Sequence, residues 1–352
     1  MGLIRFILAC IVVLCHTSTI FGYNPLPSDL AVQSFFVISG FYMSLVLNEK
    51  YPKGSNSLFF KNRALKIYPT YWLILILLVG WGLLVNCLGY PGTIWFYQYA
   101  APLSTPTWLY FIITNLFIFG LDYSFILGIQ NGHLYFTKSY GSSNPNVYSF
   151  AFNSIGWTVG VELLFYLIAP FILRGRTFFI VLLLVGSLAL RVLLATNGMS
   201  GHPWDYMFFP TQLMYFMAGA ISYRIYISIK SNPIWNKLLK VQYVLLVILM
   251  VFYSYIFSNS YSHQAILFLL LALIIPAAFE VSKSNKVDKY LGQLSYPIYI
   301  SQMLVITATR AKAFPKLINI GFTTLIITIV LSIAIYHFVT KPIERIRQSP
   351  FK

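Results

Sequence analysis

Apolar residues recur along this chain in runs of roughly 17–25, the length that carries an α-helix across a ~30 Å hydrocarbon core. Ten such runs fall at Leu3–Phe21, Ala31–Leu47, Ile67–Leu88, Ile155–Leu173, Thr177–Ala195, Tyr206–Ile227, Val241–Phe257, His263–Val281, Ser295–Thr309 and Leu317–Val339. A further run, Thr107–Leu121, is shorter. The first begins with Arg5 like a signal peptide, but no small-x-small cleavage site follows and His16 interrupts it, so it reads as a membrane helix. No repeat or linker divides the runs. The pattern predicts an all-α, polytopic integral membrane protein with about ten transmembrane helices, a single domain over residues 1–352, and no fused extracellular domain.

Composition removes the soluble alternative. Hydrophobic residues make up 58% of the chain and charged ones only 9%, against about 25% in a soluble protein, too few for a polar shell. The net charge of +16 would suggest nucleic acid in a soluble chain. Here Lys and Arg cluster in short segments between apolar runs, the positive-inside pattern, so the charge reports topology and no nucleic-acid partner is expected. It also decides how Thr107–Leu121 sits. If that run does not cross, three quarters of the 24 basic residues lie on one side with both termini, and if it crosses, the four basic groups from Arg174 to Lys352 change sides. The rule prefers the first arrangement, which makes Gly89–Ser154 one long external segment containing a short in-plane or re-entrant helix. Arg310–Lys316, with three basic residues placed outside, runs against this pattern. Cys10, Cys15 and Cys87 lie inside apolar runs with no metal-ligand spacing, so neither a disulfide nor a metal site is inferred.

Ionisable residues inside spans are costly and mark functional positions. Arg5 and His16 are eleven residues apart, about three helical turns, so they share a face about 16 Å apart along the axis. A neutral imidazole can take and return a proton, as a general base must. Glu162 lies several residues inside its span from the external end and is placed to orient His16; the plainer alternative is a salt bridge to Arg191 or Arg224. Arg63 and Lys66 sit three apart, on one face at the inner end of the third helix, just before Ile67-Tyr68-Pro69. Two cations there suit phosphate groups, or merely anchor the helix. Trp95, Tyr97, Tyr99, Trp108, Tyr135 and Tyr140 in the external segment offer ring faces for sugars, although interface anchoring is the commoner use of such residues.

No phosphate-binding glycine loop, nucleophile elbow or zinc-protease motif occurs. Four stretches instead resemble the membrane acyltransferase 3 family, the bacterial O-acyltransferases of O-antigens, exopolysaccharides and Nod factors. They are Arg5 with His16, Val32 to Phe41 (Val-Gln-Ser-Phe-Phe-Val-Ile-Ser-Gly-Phe), Arg63 to Trp72 through Tyr68-Pro69, and Trp157 to Tyr166 followed by Pro170. A weaker fifth is Gly292 to Gln302. The resemblance implies ten helices, both termini cytoplasmic, and a place in the bacterial inner membrane. It implies acetyl-CoA as donor and a polysaccharide or lipid-linked glycan hydroxyl as acceptor. Arg5 and His16 would be essential, with His16 handling proton or acyl transfer, and Arg63 with its partner Lys66 would help hold the coenzyme's phosphates; beside these, the reading of the residues adds Glu162 to the catalytic candidates and Tyr68 to the coenzyme site. Two positions depart from the family pattern: Lys66 stands where the family has a second Arg, and Gln302 where a His is frequent. Other readings of such a chain are a proton-coupled transporter, a polysaccharide polymerase or flippase, and a non-catalytic scaffold. The transporter reading lacks an inverted repeat, and the polymerase or flippase reading leaves the four stretches unexplained.

Overall fold

The computed structural model describes residues 1–352 except 91, 100–101, 259, 311–314, 316 and 349–352, with side chains also undescribed at 95, 98, 99 and 348. The Trp95 and Tyr99 side chains, Lys352, and all of Arg310–Lys316 but Arg310 and residue 315 therefore lie outside the described residues.

Each of the ten expected runs is helical: α1 (Gly2–Cys15), α2 (Ser28–Glu49), α3 (Asn56–Cys87), then, after two short helices α4 (Thr93–Tyr99) and α5 (Thr105–Phe117), α6 (Trp157–Ile172), α7 (Thr177–Thr196), α8 (Phe209–Ile229), α9 (Pro233–Ile256), α10 (Tyr261–Ser282), α11 (Lys286–Thr309) and α12 (Ile320–Ile335). A π-helical segment, Tyr336–Thr340, joins α12 to α13 (Lys341–Gln348). By length and hydropathy, seven of the described helical stretches can cross a membrane: α2, α3, α6 with its preceding turn, α7, α9, α10, and α12 continued into α13. The protein is therefore a multi-pass membrane protein. α8 and α11 have the length but are more polar, and α1 is 14 residues, about 21 Å at 1.5 Å per residue.

The helices differ from the apolar runs at their ends, for a uniform reason. Hydropathy reports only the lipid-length portion, whereas the backbone ladder continues into polar turns. α3 starts at Asn56 rather than Ile67, α9 at Pro233 rather than Val241, and α11 at Lys286 rather than Ser295. The first span is the converse. α1 stops at Cys15, because Thr17 Oγ1 bonds back to the Val13 carbonyl and Phe21 and Gly22 take positive φ, so Thr17 onward is a surface loop.

The segment expected to be external is more structured than one re-entrant helix. α5 spans 13 residues, about 20 Å and short of the ~30 Å core, and ends where Ile118 adopts φ 69°. Beyond it lies the one sheet among the described residues, a hairpin of β1 (Leu127–Gln130) and β2 (His133–Phe136). Its two-residue turn, Asn131-Gly132, has both φ angles positive, as hairpin turns of this type require. The all-α expectation is corrected to that extent. Tyr97 is boxed in by Trp108, Phe111, Phe150 and Phe152, and Tyr140 by Phe125 and Tyr148, so these rings build the segment's own core.

Close helix approach organises the rest. A Cβ on Gly40 of α2 would stand 2.0 Å from the Phe216 carbonyl oxygen of α8, and one on Gly219 would stand 1.9 Å from the Val37 carbonyl oxygen. Small residues that let backbones touch are the usual basis of helix pairing in lipid. Phe36 and Phe165 then stack on Phe216 at 4.7 and 4.1 Å, tying α2, α6 and α8 together. α1 meets α11 equally closely: a Cβ on Gly2 would lie 1.6 Å from the Asp288 carbonyl oxygen, while the Asp288 carboxylate accepts from the Gly2 and Leu3 amides at 2.6 and 2.9 Å. Basic side chains serve the helix ends nearby. Arg174 donates to the Leu47, Tyr51 and Pro52 carbonyls, and Arg224 to those of Leu173 and Gly175, as cations suit helix C-termini.

Gly219→Ala should lower stability by about 1–3 kcal/mol, the cost of overpacking, seen as a lower melting temperature in detergent. Gly186→Ala, where a Cβ meets nothing within 4 Å, should leave it unchanged; equal effects of the two would remove the α2–α8 contact as a determinant.

Candidate functional site

The basic end of the bundle opens into a cavity of about 680 Å³. Four of the six residues singled out from sequence line it: Arg5 from α1, Arg63 and Lys66 from α3, and Glu162 from α6. Arg5, Ser39, Glu162 and Tyr296 also line a narrower pocket of about 60 Å³, which runs on along Val32, Phe35, Thr158 and Tyr299. The two spaces therefore meet at a neck formed by Arg5 and Glu162.

The neck's electrostatics follow from its side chains. Glu162 accepts from Ser39 Oγ at 2.5 Å and, in a short contact, from the Tyr166 hydroxyl. Both donors lie in stretches recognisable in the sequence, Ser39 in the Phe-Phe-Val-Ile-Ser-Gly-Phe string and Tyr166 at the end of the Trp157 stretch. Arg63 is buried, packed against the Phe59 and Tyr166 rings at 5.6 and 5.7 Å, with Met43 Sδ at 3.8 Å from Nη1. Its Nε is buried without a hydrogen-bond partner. Among the described residues, no carboxylate comes within 4 Å of Arg5, Arg63 or Lys66. Seven Lys and Arg side chains line the cavity against four carboxylates, Glu49, Glu162, Asp288 and Glu344. The cavity wall thus carries positive charge in excess, which fits an anionic ligand.

Asp288, on the rim, does not offset that charge. Its carboxylate accepts from the Gly2 and Leu3 amides at 2.6 and 2.9 Å. Its charge is spent on the start of α1.

His16 stands elsewhere. It is the residue immediately after α1, and its Nδ1 lies 2.9 Å from the Val12 carbonyl oxygen. A carbonyl only accepts, so Nδ1 carries the proton and Nε2 of the neutral ring keeps its lone pair. Gln302 of α11 approaches the ring, and Arg310 donates to the His16 backbone carbonyl at 2.9 Å. Gln302 is fully buried; its Nε2 donates to the Tyr299 carbonyl and its Oε1 has no partner.

Two sequence expectations change here. Glu162 does not orient His16, because its hydrogen bonds go to Ser39 and Tyr166, and it shares its cavities with Arg5 at the other end of α1. Nor does it pair with Arg191 or Arg224: Arg191 reaches Tyr215 and Asp205, and Arg224 the end of α6. Tyr68 faces away from the cavity. It shares α3 with Arg63 but lies five positions on, about 140° around the helix, where its hydroxyl donates to the Phe117 carbonyl and its ring packs on Trp72. Sequence reasoning missed Ser39, Tyr166 and Tyr296 as site residues, although all three fall within the quoted stretches. It also left unassigned Lys50, Lys289 and Arg347, which topology alone brings to the cavity.

No solved structure matches this chain. A curated relative, "Protein 2 in picA locus" of Rhizobium radiobacter, is 34% identical over 93 residues, 26% of this chain and 49% of the relative, so the match spans about half of that protein's length. The model of a family described as an acyltransferase domain matches residues 1–337, nearly all of the bundle and every residue of the neck, and the chain belongs to this acyltransferase 3 family.

Proposed function

We propose that this acyltransferase is a transmembrane O-acetyltransferase, moving an acetyl group from cytoplasmic acetyl-CoA to a hydroxyl of a cell-surface polysaccharide or its lipid-linked repeat unit. In this reading α1–α3 and α6–α12 cross the bacterial inner membrane as a single domain, with the basic end and both termini in the cytoplasm. The observation that carries it is the disposition of the charges and the imidazole: three cations with no carboxylate within 4 Å among the described residues face one cavity, and His16, with its proton on Nδ1, stands about 16 Å from Arg5 along the axis of α1. A long anionic donor with a reactive far end suits that disposition.

The donor's phosphates would sit against Arg63 and Lys66. Its thioester arm would pass Arg5 and Glu162 into the narrow pocket, towards the outer end of α1. There Nε2 of His16 takes the proton of the acceptor hydroxyl as its oxygen bonds to the thioester carbonyl carbon. The carbon–sulfur bond then breaks, and the imidazolium returns the proton to the leaving thiolate. An acetyl ester and coenzyme A thiol result, with the histidine unchanged. Glu162, fixed by Ser39 and Tyr166, would position Arg5 and Arg63 rather than the base. Lys66 supplies charge without the bidentate fork of an arginine.

The reading is tested with protein in nanodiscs given radiolabelled acetyl-CoA and O-deacetylated surface glycan. His16→Ala should lower label transfer about 10²–10⁴-fold, the range for loss of a general base, while acetyl-CoA binding by calorimetry stays as in wild type. If neither protein transfers label or binds acetyl-CoA, the chemistry is something else, and proton-coupled transport becomes the leading reading. Arg63→Ala should weaken acetyl-CoA about 10–100-fold, the scale of a lost charge-assisted hydrogen bond, and Lys66→Arg should preserve or tighten it; unchanged affinity in Arg63→Ala would remove the phosphate role. Transfer rate should climb with pH as Nε2 loses its proton and then level off. Glu162→Gln should lower the plateau without moving that limb, and a displaced limb would place Glu162 back beside His16.

A further inference from the structure

The family match ends at residue 337, and α13 begins at Lys341. Nevertheless Thr340, Ile343, Glu344 and Arg347 line the large cavity. Their spacing of three, four and seven residues puts them on one helix face, while Lys341, Arg345 and Ile346 on the rest of the helix are exposed. The chain arrives at α13 through the π-helical segment Tyr336–Thr340. Such segments add a residue to a turn, re-aim the next stretch of chain, and recur at functional sites. Thr340 Oγ1 sits 3.5 Å from Thr70 Oγ1 of α3, one turn along from Lys66, which places the start of α13 against the helix that carries the phosphate-directed cations.

Arg347 is the informative residue. Only 16% of its side chain is exposed, its Nε is buried without a partner, and it lines the same cavity as Lys66. It makes a short ion pair with Glu344, its neighbour on the same helix face. A solvated arginine on a terminal helix would turn away from three other cations. This one turns towards them, and the local carboxylate compensates part of its charge.

We propose that α13 is a wall of the donor site and that Arg347 is a further phosphate-binding cation for the coenzyme, contributed from beyond the family's matched region. This rests on the reading of the cavity as the acetyl-CoA site. Arg347 would exchange part of its contact with Glu344 for a phosphate oxygen of the donor, joining Arg63 and Lys66 there.

The test is coenzyme A binding by calorimetry to the full chain in nanodiscs, with melting temperature checked for every variant. Arg347→Ala should weaken binding about tenfold or more, the scale of one charge-assisted hydrogen bond, and Arg347→Lys should recover part of it. Arg345→Ala, which removes an exposed charge from the same helix, should bind as wild type. Glu344→Gln should bind as tightly as wild type or more tightly, whereas a merely structural Glu344–Arg347 pair requires it to lose binding along with Arg347→Ala. Wild-type affinity in Arg347→Ala, or equal losses in Arg347→Ala and Arg345→Ala, would overturn the role of Arg347 and leave the donor cavity standing. Failure of wild type itself to bind coenzyme A would overturn both.

Discussion

Positive charge held inside a helical bundle, in excess of the carboxylates beside it, is the constraint on which the site depends. Arg5, Arg63 and Lys66 face one cavity, with Glu162 at its neck and Glu49, Asp288 and Glu344 elsewhere on its wall. Placing ionised groups at this depth costs several kcal/mol each unless they are solvated or paired. The fold lowers that cost by local means. Two aromatic faces hold the Arg63 guanidinium, two hydroxyls hold the Glu162 carboxylate, and a cavity of about 680 Å³ has room for water or an anionic ligand. These supports come from separate helices, so their register matters. Ser39 precedes Gly40, whose lack of a side chain lets α2 lie directly on α8. The contact that closes the bundle thereby also sets the hydroxyl that fixes Glu162.

The second constraint is distance. α1 ends at Cys15, which puts His16 past the last helical turn with Nδ1 committed to the Val12 carbonyl. Arg5 is near the opposite end of the same helix. Arg5 and His16 are thus separated along one rigid element, whose start is fixed by the Asp288 carboxylate and by close backbone contact with α11. An arrangement of this kind would let an extended donor enter from one end and be used at the other.

Much of this was legible in the sequence, and the misses have physical causes. All ten apolar runs became helices, since runs of that length have no alternative way to satisfy their backbone groups in lipid. Their ends were less legible, because charged turns such as Asn56–Lys66 and Lys286–Leu294 continue a helix that hydropathy cannot see. Arg63 and Lys66 share a face from spacing alone, and the structure agrees. Glu162 was expected at His16 because helix ends were matched by depth. Depth does not say which neighbour a side chain meets, and Ser39 and Tyr166 claim it. Tyr68 belonged to the right helix but the wrong face. The hairpin was announced by Asn131-Gly132, yet so short a sheet is easily lost within a segment read by hydropathy. Arg347 could not be found from sequence, since its place depends on how the π-helical segment re-aims α13.

In the proposed reaction one face of the membrane supplies the donor and the other receives the acetyl group through this neck. Proteoliposomes with a single protein orientation test it most directly, with radiolabelled acetyl-CoA confined to the side of Lys341 and O-deacetylated surface glycan to the opposite side. The account predicts ester-linked label on the glycan across the bilayer, abolished when acetyl-CoA is moved to the glycan's side. Transfer only when donor and glycan share a side would contradict it.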